Sequence, residues 1–418
     1  MHLNILINDE GAVTATDFGL STPLDESLAP GLSFILFHQF YWRRRKLPPG
    51  PLPLPILGNI VAILKNTPGY KPYQEWKDIY GAVYTYWLGG FPVVTVNDYD
   101  MIQDIFIKDG ENYADRINFG SLGNEFRGGN WGILDTSGHL WREQRRYTLH
   151  TLRDIGLGKE QMQQKILLEA QWLIETLEEE GKNAQLNPLK YMDRTVVSVI
   201  NVVLFGYRFD ESTVHEFQQV RSMMDRTNKE LNNPLLGFFF ERKWARENLP
   251  WVKGKYQLLM ETKNTLFGFF AKNIQRHKDE IDYDSEECND FCDAYLKEMH
   301  KRKYEVDTTF HDKQLENLCF DLWLAGMETS AATMSWGVVL LLNHPKVLRA
   351  MHEEFDRVIG EDRFITIQDK MNLPYANAVI TEVQRWANIL PQNLLRKTLK
   401  EVVIGGHVIP AGTAVSPQ

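Results

Sequence analysis

The stretch "LCFDLWLAGMETSAATMSWGVVLLL", residues 318–342, predicts a long helix that is apolar on nearly every face. Its middle nevertheless contains Ala325, Gly326, Glu328 and Thr329. A glycine inside a helix costs about 1 kcal/mol relative to alanine, and a buried carboxylate is costly unless it is paired or protonated. The combination therefore indicates a central helix that lines a cavity and carries a proton-handling pair.

Two interpretations of this helix remain open at the level of sequence. Thr329 can donate a hydrogen bond to the carbonyl of Ala325, four residues earlier, and so bend the helix, while the small residues let a flat group approach the backbone. The plainer interpretation is a core helix whose apolar stripe ends and meets solvent at "ETS", residues 328–330.

The composition is that of a globular protein. The chain has 418 residues, a net charge of −9, 43% hydrophobic residues and 24% charged residues. The acidic balance argues against a general nucleic-acid binder. The cysteines Cys288, Cys292 and Cys319 show no metal-ligand spacing, and their odd number fits a reducing compartment.

The N-terminal region has the layout of a cytoplasm-facing membrane anchor that is cut short. The apolar run 32–42 is followed by "RRRK", residues 43–46, and by the proline-rich linker 48–55. The run falls far short of the roughly 20 apolar residues that span a bilayer. A second apolar stretch, 235–240, adjoins basic residues. It could cover an apolar cavity or enter a membrane surface, or it could simply pack into the core.

Periodicity predicts a mainly α fold with small β-sheets. Residues 82–98 alternate around Gly89-Gly90 and predict a β-hairpin. Residues 97 to about 385 are mostly helical by pattern, most clearly at 165–180. Residues 401–415 predict two short strands around Gly405-Gly406.

Two further pairs of residues share a helix face. Trp141 and Arg145 lie four apart, and an indole N–H beside a guanidinium makes a good anion site; the alternative is a basic surface face. Glu382 and Arg385 lie three apart in "TEVQRW". Most such pairs are exposed, but the apolar neighbours of this one leave burial open.

Taken in order, these segments resemble the cytochrome P-450 family, the haem-thiolate monooxygenases, and are most similar to its animal microsomal type. The resemblance runs from about residue 43 to 418. It rests on "RRRKLPPGPLPLPILGN", "WREQRR", "AGMETS", the Glu-x-x-Arg of "TEVQR", and "VIPAGTAV".

The resemblance implies a role for each motif. Ala325 and Gly326 would face the distal side of a haem, and Glu328 with Thr329 would form the acid–alcohol pair that delivers protons during oxygen activation. Side chains that would bind the haem propionates are Arg116, Trp141, Arg145 and Arg396. Glu382 and Arg385 would form a buried structural pair.

The implied activity is insertion of one oxygen atom into an apolar small molecule such as a xenobiotic, a steroid or a fatty acid. Electrons would come from an NADPH-dependent flavoprotein reductase at the cytoplasmic face of the endoplasmic reticulum membrane, and no nucleic acid is implied. The alternative is a non-catalytic fragment or pseudo-enzyme that keeps an apolar ligand cavity. The expected domains are a kinase-like fragment or unrelated leader at 1–27, an anchor remnant with a basic hinge at 28–47, and a partial P-450 domain at 48–418.

The sequence departs from the family at both ends. None of the three cysteines has the family's glycine-containing ligand loop, so we expect the fold to be incomplete at the C-terminus, thiolate ligation of haem iron to be impossible and the chain to be inactive as written. Residues 4–22 resemble a different family, the protein-kinase segment that ends in Asp-Phe-Gly. Asn4 and Asp17 would match its two magnesium-binding positions.

Overall fold

The computed structural model describes residues 5–7, 13–15, 37–55, 57–66, 70–117, 120–156, 160–182, 188–231, 233, 235–391 and 393–418. The chain divides into two compact units, Met1–Ile117 with Pro391–Gln418, and Asn118–Leu390. The predicted class, mainly α with small β-sheets, is confirmed.

The first unit is built around a mixed sheet whose strands lie in the order β3-β4-β9-β6-β5. A separate pair, β7-β8, and a pair near the N-terminus, β1-β2, are antiparallel. The strands are β1 (Ile5–Ile7), β2 (Val13–Ala15), β3 (Val83–Leu88), β4 (Phe91–Val96), β5 (Asp115–Arg116), β6 (Arg396–Lys397), β7 (Val402–Ile404), β8 (His407–Ile409) and β9 (Ala414–Pro417). The α-helices are α1 (Ile60–Lys65), α2 (Lys71–Tyr80) and α3 (Tyr99–Ile102), the last extended by a π-helical turn, Gln103–Lys108.

Both predicted strand pairs are confirmed. β3 and β4 pair antiparallel across Gly89, whose φ of 59° lies in the left-handed region that glycine tolerates best. β7 and β8 pair around Gly405 and Gly406, with φ of 55° and 81°. The parallel pairing of β9 with β4 was not predicted, because it joins segments about 320 residues apart.

The basic hinge is held on this sheet by two of its arginines. Arg43 stacks over the Trp87 ring at 4.5 Å and donates to the Gly90 carbonyl at 2.5 Å. Arg44 donates to the Gly50 carbonyl at 2.7 Å. The hinge therefore contributes internal contacts as well as positive charge.

The second unit is helical. Its helices are α4 (Ser121–Arg127), α5 (Gly138–Asp154), α6 (Glu160–Gly181), α7 (Pro188–Phe205), α8 (Val214–Glu230), α9 (Leu235–Phe240), α10 (Lys243–Asn248), α11 (Pro250–Glu280), α12 (Phe291–Lys301), α13 (Asp312–Asn343), α14 (Pro345–Val358) and α15 (Pro374–Ala387).

The predicted central helix is α13, which is 32 residues long and unbroken. His311 caps its first turn by accepting from the Gln314 N–H at 3.2 Å. Its N-terminal half is fully buried at Leu315, Leu318 and Trp323, within the main aromatic and aliphatic core of this unit. The core therefore surrounds the first half of α13, and exposure increases along the second half.

The apolar stretch at 235–240 forms α9, and its described side chains pack inward. Leu236 and Phe240 are buried against Val252 of α11. This favours the core-packing interpretation for those two residues; the side chains of Leu235 and Phe238 lie outside the described part. Trp244 and Trp251 nearby are 65% and 51% exposed.

Two polar contacts join other helices of the second unit. The Glu241 carboxylate accepts from the backbone N–H groups of Ser121 and Leu122, at 2.8 and 3.0 Å, and so caps α4. His277 at the end of α11 lies 2.9 Å from Asp290, the N-cap of α12. The other ring nitrogen of His277 lies 2.9 Å from the Asn273 carbonyl.

Among the described residues, no helix is both long enough and apolar enough to cross a membrane. The apolar run 32–42 is described only from residue 37, where His38–Trp42 forms a π-helical turn. Asn4 and Asp17, the kinase-like positions, lie outside the described residues. The division into leader, hinge and P-450 domain stays a prediction.

Candidate functional site

The hydrogen bond predicted from the Thr329 hydroxyl to the preceding helical turn is present in the middle of α13. Thr329 Oγ1 donates to the Ala325 carbonyl at 2.6 Å. Ala325 is exposed, and Gly326, Glu328 and Thr329 are half-buried. The helix continues for 14 residues beyond Thr329, to Asn343. Ser330 is exposed, which agrees with the plainer interpretation that the apolar stripe meets solvent at "ETS".

Gly326 has a packing role that the sequence did not reveal. A Cβ built on Gly326 would lie 2.7 Å from Cδ1 of Ile200 on α7. The glycine therefore lets α7 and α13 approach each other closely. Ala325 and Gly326 were both expected to leave space for a flat group. Only Ala325 is exposed; the position that a side chain of Gly326 would occupy is next to the neighbouring helix α7.

Glu328 is bound by a residue that sequence reasoning missed. Its Oε1 lies 2.8 Å from Nη1 of Arg221 on α8. Arg221 also pairs with Asp193 of α7 at 3.0 Å and with Asp225 at 3.3 Å. Only the pair Arg221–Asp225 could have been predicted from the sequence, because these residues lie four apart on one helix.

Trp141 and Arg145 lie together on α5, as their spacing predicted. The guanidinium carbon of Arg145 is 5.6 Å from the centre of the Trp141 ring. Arg145 is exposed and Trp141 half-buried. Within the described ranges, no carboxylate forms an ion pair with Arg145, so the guanidinium is available to an anionic group.

Arg116 and Arg396, predicted from the resemblance alone, are direct cross-strand partners in β5 and β6. Both are half-buried. Arg116 contacts the Leu395 carbonyl at 3.4 Å, and Arg396 lies over the Phe106 ring at 5.4 Å. Like charges directly opposite on paired strands destabilise a sheet.

A buried polar network fixes the loop that precedes α5. Asp321 of α13 is fully buried and pairs with Arg127, which is 8% exposed, at 2.7 Å. The other Asp321 oxygen accepts from the Ile133 and Leu134 N–H groups at 2.7 and 3.0 Å. Burial raises the pKa of Asp321, and Arg127 together with these two N–H groups opposes that rise.

Gln314 and Asn317 extend the network along α13. Gln314 exchanges two hydrogen bonds with the backbone of Gly132, at 2.8 and 3.1 Å. Asn317 donates to the Arg127 carbonyl at 3.1 Å. Gly132 has a φ of 93°, and a Cβ there would lie 2.3 Å from the Asp321 carboxylate. The polar residues at 314, 317 and 321 form a helical stripe that the sequence contains and that sequence reasoning did not use.

The expected burial of the Glu382–Arg385 pair is wrong. The two side chains form a bidentate pair at 2.6 and 2.7 Å, but they are 53% and 66% exposed. No described residue covers this face of α15, where Trp386 is also 64% exposed. The buried carboxylate at α15 is instead Glu354 of α14, which caps it by accepting from the Tyr375 and Ala376 N–H groups.

The three cysteines lie in the second unit. Cys292 and Cys319 are fully buried in its main core, and burial raises the pKa of both thiols well above the ordinary value. Cys288 is exposed in the loop before α12. None of the three lies on the exposed strip of α13 that carries Ala325.

The second unit also contains an apolar cavity of 580 Å³. Aliphatic side chains from α6, α7 and α13 and from residues 365–367 line it. The lining residues are Leu152, Met162, Gln163, Ile166, Leu167, Val199, Ile200, Val203, Leu204, Leu322, Ile365, Thr366 and Ile367. A volume of this size is typical of small-molecule pockets.

Comparisons with known proteins agree with this arrangement. A family model described as cytochrome P450 matches residues 48–418. Cytochrome P450 2A9 of Mesocricetus auratus is 33% identical over 382 residues, which cover 90% of this chain and 75% of that protein. Cytochrome P450 2D26 of Rattus norvegicus is 34% identical, covering 92% and 75%, and cytochrome P450 2E1 of Bos taurus is 30% identical, covering 92% and 76%. The mainly helical fold with small mixed sheets is consistent with these matches, and the chain belongs to the cytochrome P450 family.

Proposed function

We propose that the chain is a haem-dependent monooxygenase that inserts one oxygen atom into an apolar small molecule, a xenobiotic, a steroid or a fatty acid. Electrons come from an NADPH-dependent flavoprotein reductase, and the protein acts at the cytoplasmic face of the endoplasmic reticulum membrane. The observation that carries the proposal is the middle of α13, where a hydroxyl follows a carboxylate beside an exposed alanine.

Each unit offers cationic side chains of the kind that bind haem propionates. In the first unit, Arg116 and Arg396 lie opposite each other on β5 and β6. Arg145 beside Trp141 offers a second cationic site that no described carboxylate occupies. These four side chains would hold the propionates. When bound, haem would supply the one-electron redox chemistry that activates dioxygen.

The protein's own part in the reaction is proton transfer and exclusion of water. Thr329 Oγ1 donates to the Ala325 carbonyl, so its lone pairs remain available to accept a proton donor. Glu328 supplies a titratable group one residue away. The exposed methyl group of Ala325 provides a small apolar surface beside them.

We propose that none of Cys288, Cys292 and Cys319 ligates iron. The two buried cysteines are held as thiols inside a packed core, and a ligand must be a thiolate. We therefore expect that haem bound to this chain is not ligated by any of these three thiols. The reduced carbon monoxide difference spectrum tests this: the absorption characteristic of thiolate-ligated haem would contradict it.

The role of Thr329 is tested with Thr329→Ala in the haem-loaded protein supplied with reductase and NADPH. We expect the variant to consume NADPH while forming less product, because the hydroxyl oxygen that accepts from the proton donor at the site of oxygen activation is lost. Thr333→Ala is a matched control, since Thr333 makes the same back-bond, to the Thr329 carbonyl at 2.8 Å. Equal coupling in both variants would remove Thr329 from the relay.

A second candidate function is binding of an apolar ligand without catalysis. The 580 Å³ aliphatic cavity supports it. An apolar fluorescent probe is titrated into the wild type and into Val203→Trp, whose larger side chain fills the cavity. Ligand binding without catalysis requires that the wild type bind the probe equally well with and without haem, and that Val203→Trp abolish this binding.

A further inference from the structure

Arg221 is the centre of a charge cluster that includes the proposed relay acid. All three sides of its guanidinium are used: Nη1 faces Glu328, Nη2 faces Asp193 and Nε faces Asp225, at 2.8, 3.0 and 3.3 Å. The Arg221 side chain is 25% exposed and that of Asp193 is 24% exposed. The cluster therefore joins α7, α8 and α13 through one side chain.

The charges in this cluster do not balance, because one guanidinium faces three carboxylates. Burial raises the pKa of Asp193; Arg221 opposes that rise, and the negative charges of Glu328 and Asp225 add to it. A neutral Asp193 competes less strongly with Glu328 for the Arg221 guanidinium. The protonation state of Asp193 is in this way linked to how firmly Glu328 is held.

Two lysines of the neighbouring helix α11 have partners outside the cluster. α11 packs against α8, and its Lys255 and Lys272 pair with Glu230 and Glu216 near the two ends of α8. Among the ion pairs of the described residues, Glu328 is bound by Arg221 alone.

We propose that Arg221 is a positioning residue for Glu328, whose carboxylate it fixes in one orientation, and that Asp193 competes with Glu328 for the same guanidinium. This inference rests on the proposed role of Glu328 in proton delivery. It adds that Arg221 and Asp193 control the orientation of the Glu328 carboxylate. Arg221 holds the acid, and protonation of Asp193 strengthens that hold.

The contact itself is tested on the full chain without haem. Urea unfolding of the wild type, Arg221→Gln, Glu328→Gln and the double variant forms a double-mutant cycle. We expect the two substitutions to be non-additive at pH 7 and additive at pH 3, where the carboxylates are protonated. Asp193→Asn should increase the non-additivity at pH 7. Additive effects at pH 7, or no change with Asp193→Asn, would overturn the corresponding half of the proposal.

The functional consequence is measured as product formed per NADPH consumed, against pH, in the haem-loaded protein supplied with reductase. We expect Arg221→Gln to lower this ratio several-fold and to change its pH profile, and Arg221→Lys to restore part of both, since lysine keeps the charge but loses the forked geometry. Arg226→Gln, an exposed arginine on the same helix, should change neither.

The two experiments separate the proposals. A non-additive cycle together with an unchanged pH profile in Arg221→Gln would overturn the positioning role while leaving the monooxygenase proposal intact. A wild-type protein that forms no product would overturn the monooxygenase proposal, and the positioning role in catalysis with it; the cycle would then still decide whether Arg221 holds Glu328.

Discussion

Removing the buried carboxylate of Asp321 should destabilise the second unit more than any surface charge change. Asp321 is fully buried and makes three polar contacts: the ion pair with Arg127 at 2.7 Å and the N–H groups of Ile133 and Leu134 at 2.7 and 3.0 Å. Breaking a buried ion pair by deleting one partner costs about 3–5 kcal/mol, because the other charge stays buried.

The two substitutions at this position should differ in a way that the contacts predict. Asp321→Ala removes all three contacts, and we expect it to cost about 4 kcal/mol in the free energy of unfolding. Asp321→Asn keeps an oxygen that can accept from the two N–H groups. Arg127 also keeps Asp135 at 3.0 Å, so we expect about 2 kcal/mol.

The assay is urea unfolding with hydrogen exchange at the Ile133 and Leu134 amides. The Ile133 and Leu134 amides should exchange faster in both variants than in the wild type, and faster in Asp321→Ala than in Asp321→Asn. Asp312→Asn on the same helix is the control: Asp312 is 52% exposed and pairs with Lys278, so its loss should cost less than about 1 kcal/mol. An Asp321→Ala variant no less stable than Asp312→Asn would refute this reasoning.

Three further predictions concern helix packing, capping and pH. Gly326→Val should destabilise the protein by about 1–3 kcal/mol in urea unfolding, because the new side chain meets Ile200; Ile200→Ala should restore part of the loss, and an additive result would contradict the packing role. Glu241→Ala should cost about 1 kcal/mol by removing the cap of α4 and should speed proteolysis of that helix, whereas equal proteolysis rates would argue against the cap. The pKa of His277 is raised, since the carboxylate of Asp290 and the Asn273 carbonyl outweigh its burial. Its stabilising effect should therefore be complete below its unfolded pKa of about 6.5 and lost as pH rises through the higher folded value; His277→Gln should flatten that slope in unfolding experiments, and an unchanged slope would be the contrary result.

The sequence predicted the elements whose pattern is local. The hairpin at β3 and β4, the strands β7 and β8 and the long helix α13 all follow from alternation, periodicity and glycine placement within one segment. The back-bond from Thr329 to Ala325 was predictable for the same reason, since both groups lie one turn apart on a single helix.

The misses involve contacts between distant segments. Glu382 and Arg385 were expected to be buried from their apolar neighbours, but Ile380 and Trp386 are themselves exposed at 55% and 64%. Neighbouring apolar residues predict which face of a helix is apolar, not whether that face is covered. Arg221 and Glu328 were likewise beyond sequence reasoning, because their contact joins positions 107 residues apart.

The polar stripe at Gln314, Asn317 and Asp321 explains how the second unit keeps two parts of the candidate site in register. The stripe binds the backbone of residues 127–134, the segment that leads into α5, which carries Trp141 and Arg145. The same helix carries Ala325 and Thr329 one to two turns after Asp321. Because a helix rises about 1.5 Å per residue, the anchored loop and the Thr329 hydroxyl are separated by a stiff length of α13 rather than by a flexible linker. The contacts of Asp321 thus fix the position of the cationic site on α5 relative to the hydroxyl on α13. Substitutions in the stripe should therefore disturb the Trp141–Arg145 site and the Thr329 hydroxyl together.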